Sequence, residues 1–162
     1  MKKHLIIFTF TLFLMSCSSS DNGLEIVEKY IHSVENNDAK TMETLLADKY
    51  IGYGPSFGDS ITKPLALKNW EASMGDIYES IEYKKSRNAL VEVVSGENKG
   101  NWVSNWAELH IKYKKDNYEV DIWANTIYKI ENNQIVKSYT FYNEADVLRQ
   151  LDYVYINSKF LE

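Results

Sequence analysis

The chain has 162 residues, 44% hydrophobic and 25% charged, values that suit one globular domain with its own core and leave no room for a second. Setting aside Lys2 and Lys3 with the leader described below takes the formal charge from −5 to about −7, which argues against a nucleic-acid partner, because such a partner calls for a basic face. Aromatic residues reach 14%, and twelve of them are tyrosines whose hydroxyls need polar partners or a wet pocket.

Residues 1–16 carry Lys2 and Lys3 and then an apolar run over 5–15, interrupted only by Thr9 and Thr11. A helix needs about 20 such residues to cross about 30 Å of hydrocarbon, so the run reads as a signal segment and not as a span. It closes on Leu14, Met15, Ser16 and Cys17. That ending resembles the lipobox of bacterial lipoproteins, in which the cysteine becomes the lipidated N-terminus of the mature chain. Cys17 is the one cysteine in the sequence, so no disulfide within the chain can use it. Residues 17–23, Cys17 and the Ser-Ser-Ser-Asp-Asn-Gly behind it, read as the lipidated residue and a flexible polar tether. The resemblance implies attachment to a membrane through Cys17, in the cell envelope, and favours the outer membrane of a Gram-negative bacterium. Outside the cytoplasm ATP and most nucleotide cofactors are lacking, and no cofactor is expected.

The domain is expected over 24–156, with 157–162 a tail. Leu24, Ile26, Val27, Tyr30, Ile31 and Val34 recur with helical period over 24–36. Asn37-Asp38 ends that helix, and Asp38 caps a second over 39–47. Residues 50–57 read as a strand broken by Gly52, Gly54 and Pro55, and 58–60 as a loop in which Asp59 is a turn residue. Thr62 then caps a third helix, with Pro64 in its first turn and Leu65, Leu67, Trp70, Met74 and Ile77 along it. A long alternating strand covers 81–94. Residues 100–143 read as three antiparallel strands around the turns Asp116-Asn117 and Asn132-Asn133, and 144–153 as a short helix.

Two-residue turns set a register: Leu109 opposite Ala124, His110 opposite Trp123, Lys112 facing Asp121, Glu131 opposite Gln134 and Thr126 opposite Tyr139. One face then carries Asn105, Leu109, Ile111, Val120, Ile122, Thr126, Tyr139 and Asn143. The other carries Trp102, Trp106, Glu108, His110, Trp123 and Tyr142. A single β-bulge would invert part of this assignment.

Ile26-Val27-Glu28-Lys29-Tyr30, the Asn37-Asp38 break, Leu46-Ala47-Asp48, Phe141-Tyr142-Asn143 and Leu148-Arg149-Gln150-Leu151 resemble the NTF2-like superfamily, nearest its SnoaL-like branch. The likeness extends from residue 24 to about residue 153. It implies an α+β cone, a curved antiparallel sheet wrapped around three N-terminal helices with a short C-terminal helix. It also implies a pocket between sheet and helices and, in many members, dimers through the outer face of the sheet.

Ketosteroid isomerases of this superfamily polarise a carbonyl with a helix-1 Tyr and a protonated carboxylic acid, while a carboxylate moves the proton. Tyr30 matches the tyrosine. Gly54 stands before Pro55 where the base belongs, and Thr126 where the acid belongs. In the SnoaL-like branch an Asp seven residues before the closing-helix Gln serves the cyclases, and here that position is Asn143, which cannot shuttle a proton at neutral pH. No catalytic residue is assigned. By the same matches the face with Thr126 and Asn143 is the interior, so Asn105, Thr126, Tyr139 and Asn143, with Tyr30, Tyr53 and Trp70, are expected to line a pocket for a small, largely apolar ligand. A protein partner is the other candidate occupant. Trp102, Trp106, Trp123 and Tyr142 are expected to form a homodimer interface. Glu108 and His110 lack a third ligand at useful spacing, so no metal is expected. Two alternatives remain open: a SnoaL-like isomerase, cyclase or hydrolase using Tyr30, Tyr53 or Asp121 as acid or base, and a dimerisation scaffold whose cone is filled by its own side chains.

Overall fold

The computed structural model describes residues 19–154, so the leader, Cys17 and the end of the tail lie outside the described residues. The elements are α1 (Ser19–Glu35), α2 (Ala39–Leu45), β1 (Leu46–Tyr53), β2 (Ser60–Thr62), α3 (Lys63–Asp76), β3 (Tyr78–Val93), β4 (Gly100–Tyr113), β5 (Glu119–Glu131), β6 (Gln134–Tyr142) and α4 (Glu144–Gln150). The strands form one curved sheet in the order β2-β1-β6-β5-β4-β3. Every neighbouring pair is antiparallel except β1 and β6, which run parallel because no hairpin joins them; the whole of β2 to β5 passes between. No described helix is long and apolar enough to cross a membrane.

The helices fill the concave side. Ile26, Val27 and Ile31 of α1 pack on Leu46, Tyr50, Val103, Tyr128 and Ile135, while Val34 and Met42 meet Ile81, Ile111, Val120 and Ile122. α1 stops where Asn37 takes a left-handed φ of 53°, and the Asp38 carboxylate then accepts the Thr41 N–H at 3.0 Å to start α2. α2 is shorter than the expected 39–47. Leu46 and Ala47 leave the helix because Leu46 pairs with Ile135 as the first residue of β1, where both are buried. The chain then turns over 54–59, and the expected loop at 58–60 gives way to β2, whose Ser60 pairs with Tyr53.

The expected tether is also corrected. From Ser19 onward the polar stretch is helical, Asn22 Nδ2 donates to Asn133 Oδ1 at 2.6 Å, and Gly23 is buried against Val103.

The β4–β5 connection has five residues, 114–118, with the Tyr113 N–H donating to the Tyr118 carbonyl across it at 2.8 Å. Leu109 therefore faces Ile122, His110 faces Asp121 and Lys112 faces Glu119. This slip of two residues keeps every side chain on its expected face. At β5–β6 the two-residue turn forms as expected, with φ of 50° and 62° at Asn132 and Asn133 and Glu131 opposite Gln134. Two residues later the ladder jumps from Ile130–Ile135 to Lys129–Lys137, leaving Val136 as an extra residue. From there the expected faces of β6 are exchanged: Ser138, Thr140 and Tyr142 point into the cone, and Tyr139 and Phe141 point out of it.

Candidate functional site

The cone encloses a cavity of about 460 Å³ between the sheet, α1, α3 and α4. Its deep end is built from tyrosines on four elements: Tyr30 of α1, Tyr50 of β1, Tyr83 of β3 and Tyr128 of β5. The rings of Tyr30 and Tyr128 meet edge to face at 5.7 Å. The Tyr50 hydroxyl lies 2.7 Å from Ser138 Oγ, and it can lie there because residue 52 is glycine: a Cβ at Gly52 would come within 2.4 Å of it. Asn105 closes this end. Its Nδ2 donates to Ser86 Oγ at 2.8 Å and to Asn88 Oδ1 at 2.9 Å, pinning a bulge of β3 where Lys85 has a φ of 51°. Thr126 Oγ1 and Thr140 Oγ1 are 3.2 Å apart beside it.

The outer end is lined by Tyr78, Tyr113 and Tyr142, by Trp70 of α3, and by Val147, Leu148 and Leu151 at the closing helix. α4 is held over this end by Gln150, whose Oε1 accepts the Asp121 N–H at 3.0 Å and whose Nε2 donates to the Asp121 carbonyl at 2.9 Å. The Trp70 indole N–H is sealed from solvent and finds no acceptor among the described residues. Such orphans are rare, and a water or a ligand oxygen is the usual partner.

Electrostatically the cavity holds neutral donors. Burial pushes the Tyr30 and Tyr128 phenols well above their ordinary range, reinforced by the neighbouring phenols. Tyr83 is pushed up to about 12 by burial and by the Glu35 carboxylate, and Tyr113 to about 12 by burial and by Tyr78 and Tyr142. Burial raises Tyr50, Tyr78 and Tyr142 as well. None of the seven is a phenolate near neutral pH, and each keeps a proton to donate. Among the described residues that line the cavity there is no His, Lys or Arg, and Glu144 is the one carboxylate; it is exposed at the mouth and accepts from Ser56 Oγ at 3.1 Å. The arrangement can hold a neutral, largely apolar molecule by donating hydrogen bonds to its oxygens.

Four of the expected lining residues, Tyr30, Trp70, Asn105 and Thr126, come together here. Three do not. Tyr139 is turned outward by the extra residue at Val136, and Tyr53, its neighbour in the parallel pair, goes with it; the two rings stack at 4.7 Å on the outer face. Asn143 caps α4 by accepting the Asp146 N–H at 3.2 Å. Of the expected interface residues, Tyr142 lines the cavity instead, and Trp102 is 3% exposed, covered by Tyr139 and donating its indole N–H to the Asn98 carbonyl at 2.8 Å. Trp106 and Trp123 do stand on the outer face, 40% and 68% exposed. Asp121 is outside the cavity, 2.8 Å from His110 Nδ1. No group of three His, Cys, Asp or Glu side chains able to hold a metal occurs among the described residues. Sequence reasoning missed Tyr50, Tyr78, Tyr83, Tyr113, Ser138 and Thr140; the available signal was the excess of tyrosines itself, together with the Gly two residues after Tyr50.

No family model and no curated protein matches the chain. Solved structures do. A candidate polyketide cyclase from Xanthomonas campestris pv. campestris is 12% identical, with 83% of this chain and 99% of that one covered at a TM-score of 0.68. A candidate SnoaL-like polyketide cyclase from Shewanella denitrificans OS-217 is 11% identical, covering 80% and 96% at 0.64. An LEH-like epoxide hydrolase of M. tuberculosis is 12% identical, covering 83% and 92% at 0.62. The chain therefore has the α+β fold of the NTF2-like and SnoaL-like proteins; at these identities the likeness concerns the fold alone.

Two predictions follow from the tyrosine lining. Gly52→Ala drives a methyl group into the Tyr50 hydroxyl and should cost about 1–3 kcal/mol, as should Tyr50→Phe, which leaves Ser138 unpaired. In urea unfolding the double variant should lose clearly less than the sum, and additive losses would show that Gly52 does not accommodate that hydroxyl. The raised phenol values also carry a sign. Because the folded chain binds these protons more tightly than the unfolded one, stability is complete below the ordinary value of 10.0 and falls as pH climbs toward about 12. A folded chain whose phenols all ionised near 10 by absorbance at 295 nm would contradict their burial.

Proposed function

We propose that this chain is a lipoprotein, held in the cell envelope through lipidated Cys17, whose NTF2-like domain binds a small, largely apolar molecule without catalysing a reaction. The observation that carries the binding half is the lining: seven protonated phenols, several hydroxyls and a sealed, unpartnered indole N–H, with Glu144 at the rim the one carboxylate among the described lining residues. A site made of donors and apolar surface selects neutral molecules with oxygen acceptors, such as ketones, quinones or esters, and rejects anions and cations, whose desolvation nothing inside would offset. The leader, its apolar run and Cys17 support the anchoring half.

The names of the solved neighbours favour a second reading, an enzyme. Of the acids and bases considered for it, Tyr53 and Asp121 lie outside the cavity, which leaves Tyr30, a group held protonated and so suited to polarising a carbonyl but not to removing a proton.

Organic extraction of protein purified from its own host, followed by mass spectrometry, tests the binding reading. Wild type should release a neutral compound, and Ala124→Phe, which fills the cavity from β5, should release none while keeping its circular dichroism spectrum. Equal amounts from both proteins would place the compound elsewhere.

A homodimer is the reading for the outer face. Trp106 and Trp123 adjoin Phe141, itself 52% exposed, in one aromatic patch at the middle of the sheet. Trp106→Glu should move the sedimentation coefficient from dimer toward monomer, and an unchanged dimer would put the contact on another surface.

A further inference from the structure

We infer that the domain stands with the start of α1 against the lipid bilayer and the cavity mouth turned away from it, so that the ligand is exchanged with water and not with the membrane. The inference rests on the reading of Cys17 as the lipidated residue. α1 is helical from Ser19, which leaves only Ser18 between it and Cys17. A residue reaches at most about 3.6 Å, so the acyl-bearing residue lies within about 7 Å of the helix start.

That helix start has a fixed place. The side chain of Asn22 is bonded to Asn133 in the β5–β6 turn, and Gly23 sits against Leu90, Val103 and Ile130, where β3 ends and β4 begins. The surface at this end carries exposed aliphatic side chains among charges: Val94 is 72% exposed, with Leu90 and Val91 also in water, and Glu92, Glu97 and Lys99 are exposed beside them. The one acid of the β5–β6 turn region, Glu131, is paired with both Lys49 and Lys129. Short aliphatic side chains beside an acyl anchor suit the headgroup boundary of a bilayer, where their burial is favourable and no aromatic stacking partner is needed.

The mouth lies at the opposite end. Tyr78 and Tyr113 are at the far ends of β3 and β4, and α4 crosses there. From Val103, beside Gly23, to Tyr113 is ten residues of one strand, roughly 33 Å at about 3.3 Å per residue. A mouth that far from the bilayer cannot take a molecule directly from the acyl region.

The test uses the full lipidated protein in vesicles of phosphatidylethanolamine and phosphatidylglycerol, with a nitroxide on Val94→Cys or on Ala145→Cys, an exposed position of α4. The sulfur of Cys17, tied up in its lipid thioether, does not react. Collision with oxygen should exceed collision with a water-soluble nickel chelate several-fold at 94 and fall several-fold below it at 145, with Val91→Cys repeating the result for 94. Equal access at the two ends, or the reverse order, overturns the orientation. Palmitate labelling of the same protein separates the two ideas: no label on wild type, or the same label on Cys17→Ser, sinks the anchoring reading itself, whereas labelled protein with position 145 in lipid sinks the orientation alone.

Discussion

Ile135 and Val136 are consecutive, and both are buried, at 0% and 8% exposure. In a regular strand neighbours point to opposite faces, so an apolar pair of this kind either buries one member and exposes the other or breaks the alternation. β6 breaks it by carrying one residue more than its partner β5. Everything after that point depends on the choice. Ser138 comes under the Tyr50 hydroxyl, Thr140 under Thr126, and Tyr142 into the outer part of the cavity, while Tyr139 swings out to cover Trp102 and stack on Tyr53. Without the extra residue the cavity would be walled on that side by Tyr139 and Phe141, and the outer face would keep a third exposed tryptophan.

This is also where the sequence was legible and where it was not. Helix limits set by local chemistry could be read: the Asn37-Asp38 break works through one left-handed residue and one carboxylate cap, both visible as residue types. The faces of β4 and β5 could be read although the turn between them is longer than two residues, because a slip of two leaves the alternation intact. A slip of one does not, and the doublet Ile135-Val136 is compatible with a bulge without dictating one. The ends of α2 and the start of α1 were settled by tertiary pairing, through Leu46 opposite Ile135 and Asn22 beside Asn133, which no local pattern reports.

Asn143 takes a structural place at the end of β6 and does not face the cavity. A side-chain oxygen at the end of β6 can serve an acid or base, or it can cap the helix that follows, and the cap needs only a short side chain with an acceptor. Asn143 caps α4, and α4 in turn roofs the cavity through Gln150. The residue therefore supports the walls of the site without entering it. The interior then relies on phenols that burial keeps protonated, a lining that a likeness of about 12% identity leaves undetermined.

The start of α1 at Ser19 also bears on how two copies could meet. With the proposed anchoring through Cys17, a chain whose helix begins almost at the lipid cannot turn end over end, so two copies in one leaflet would have their mouths on the same side. A two-fold dimer through the outer face has its axis in the plane of the interface, and it satisfies this only if that axis runs along the membrane normal, roughly parallel to the long strands; an in-plane axis across the strands would send one anchor away from the bilayer. The aromatic patch of Trp106, Trp123 and Phe141 is compatible with that axis because it lies at mid-sheet, between the aliphatic end and the mouth. Trp102, nearer the helix start on the same face, is already covered by Tyr139 within its own chain, so the surface left for a second copy is the part that can be paired without moving either end of the domain.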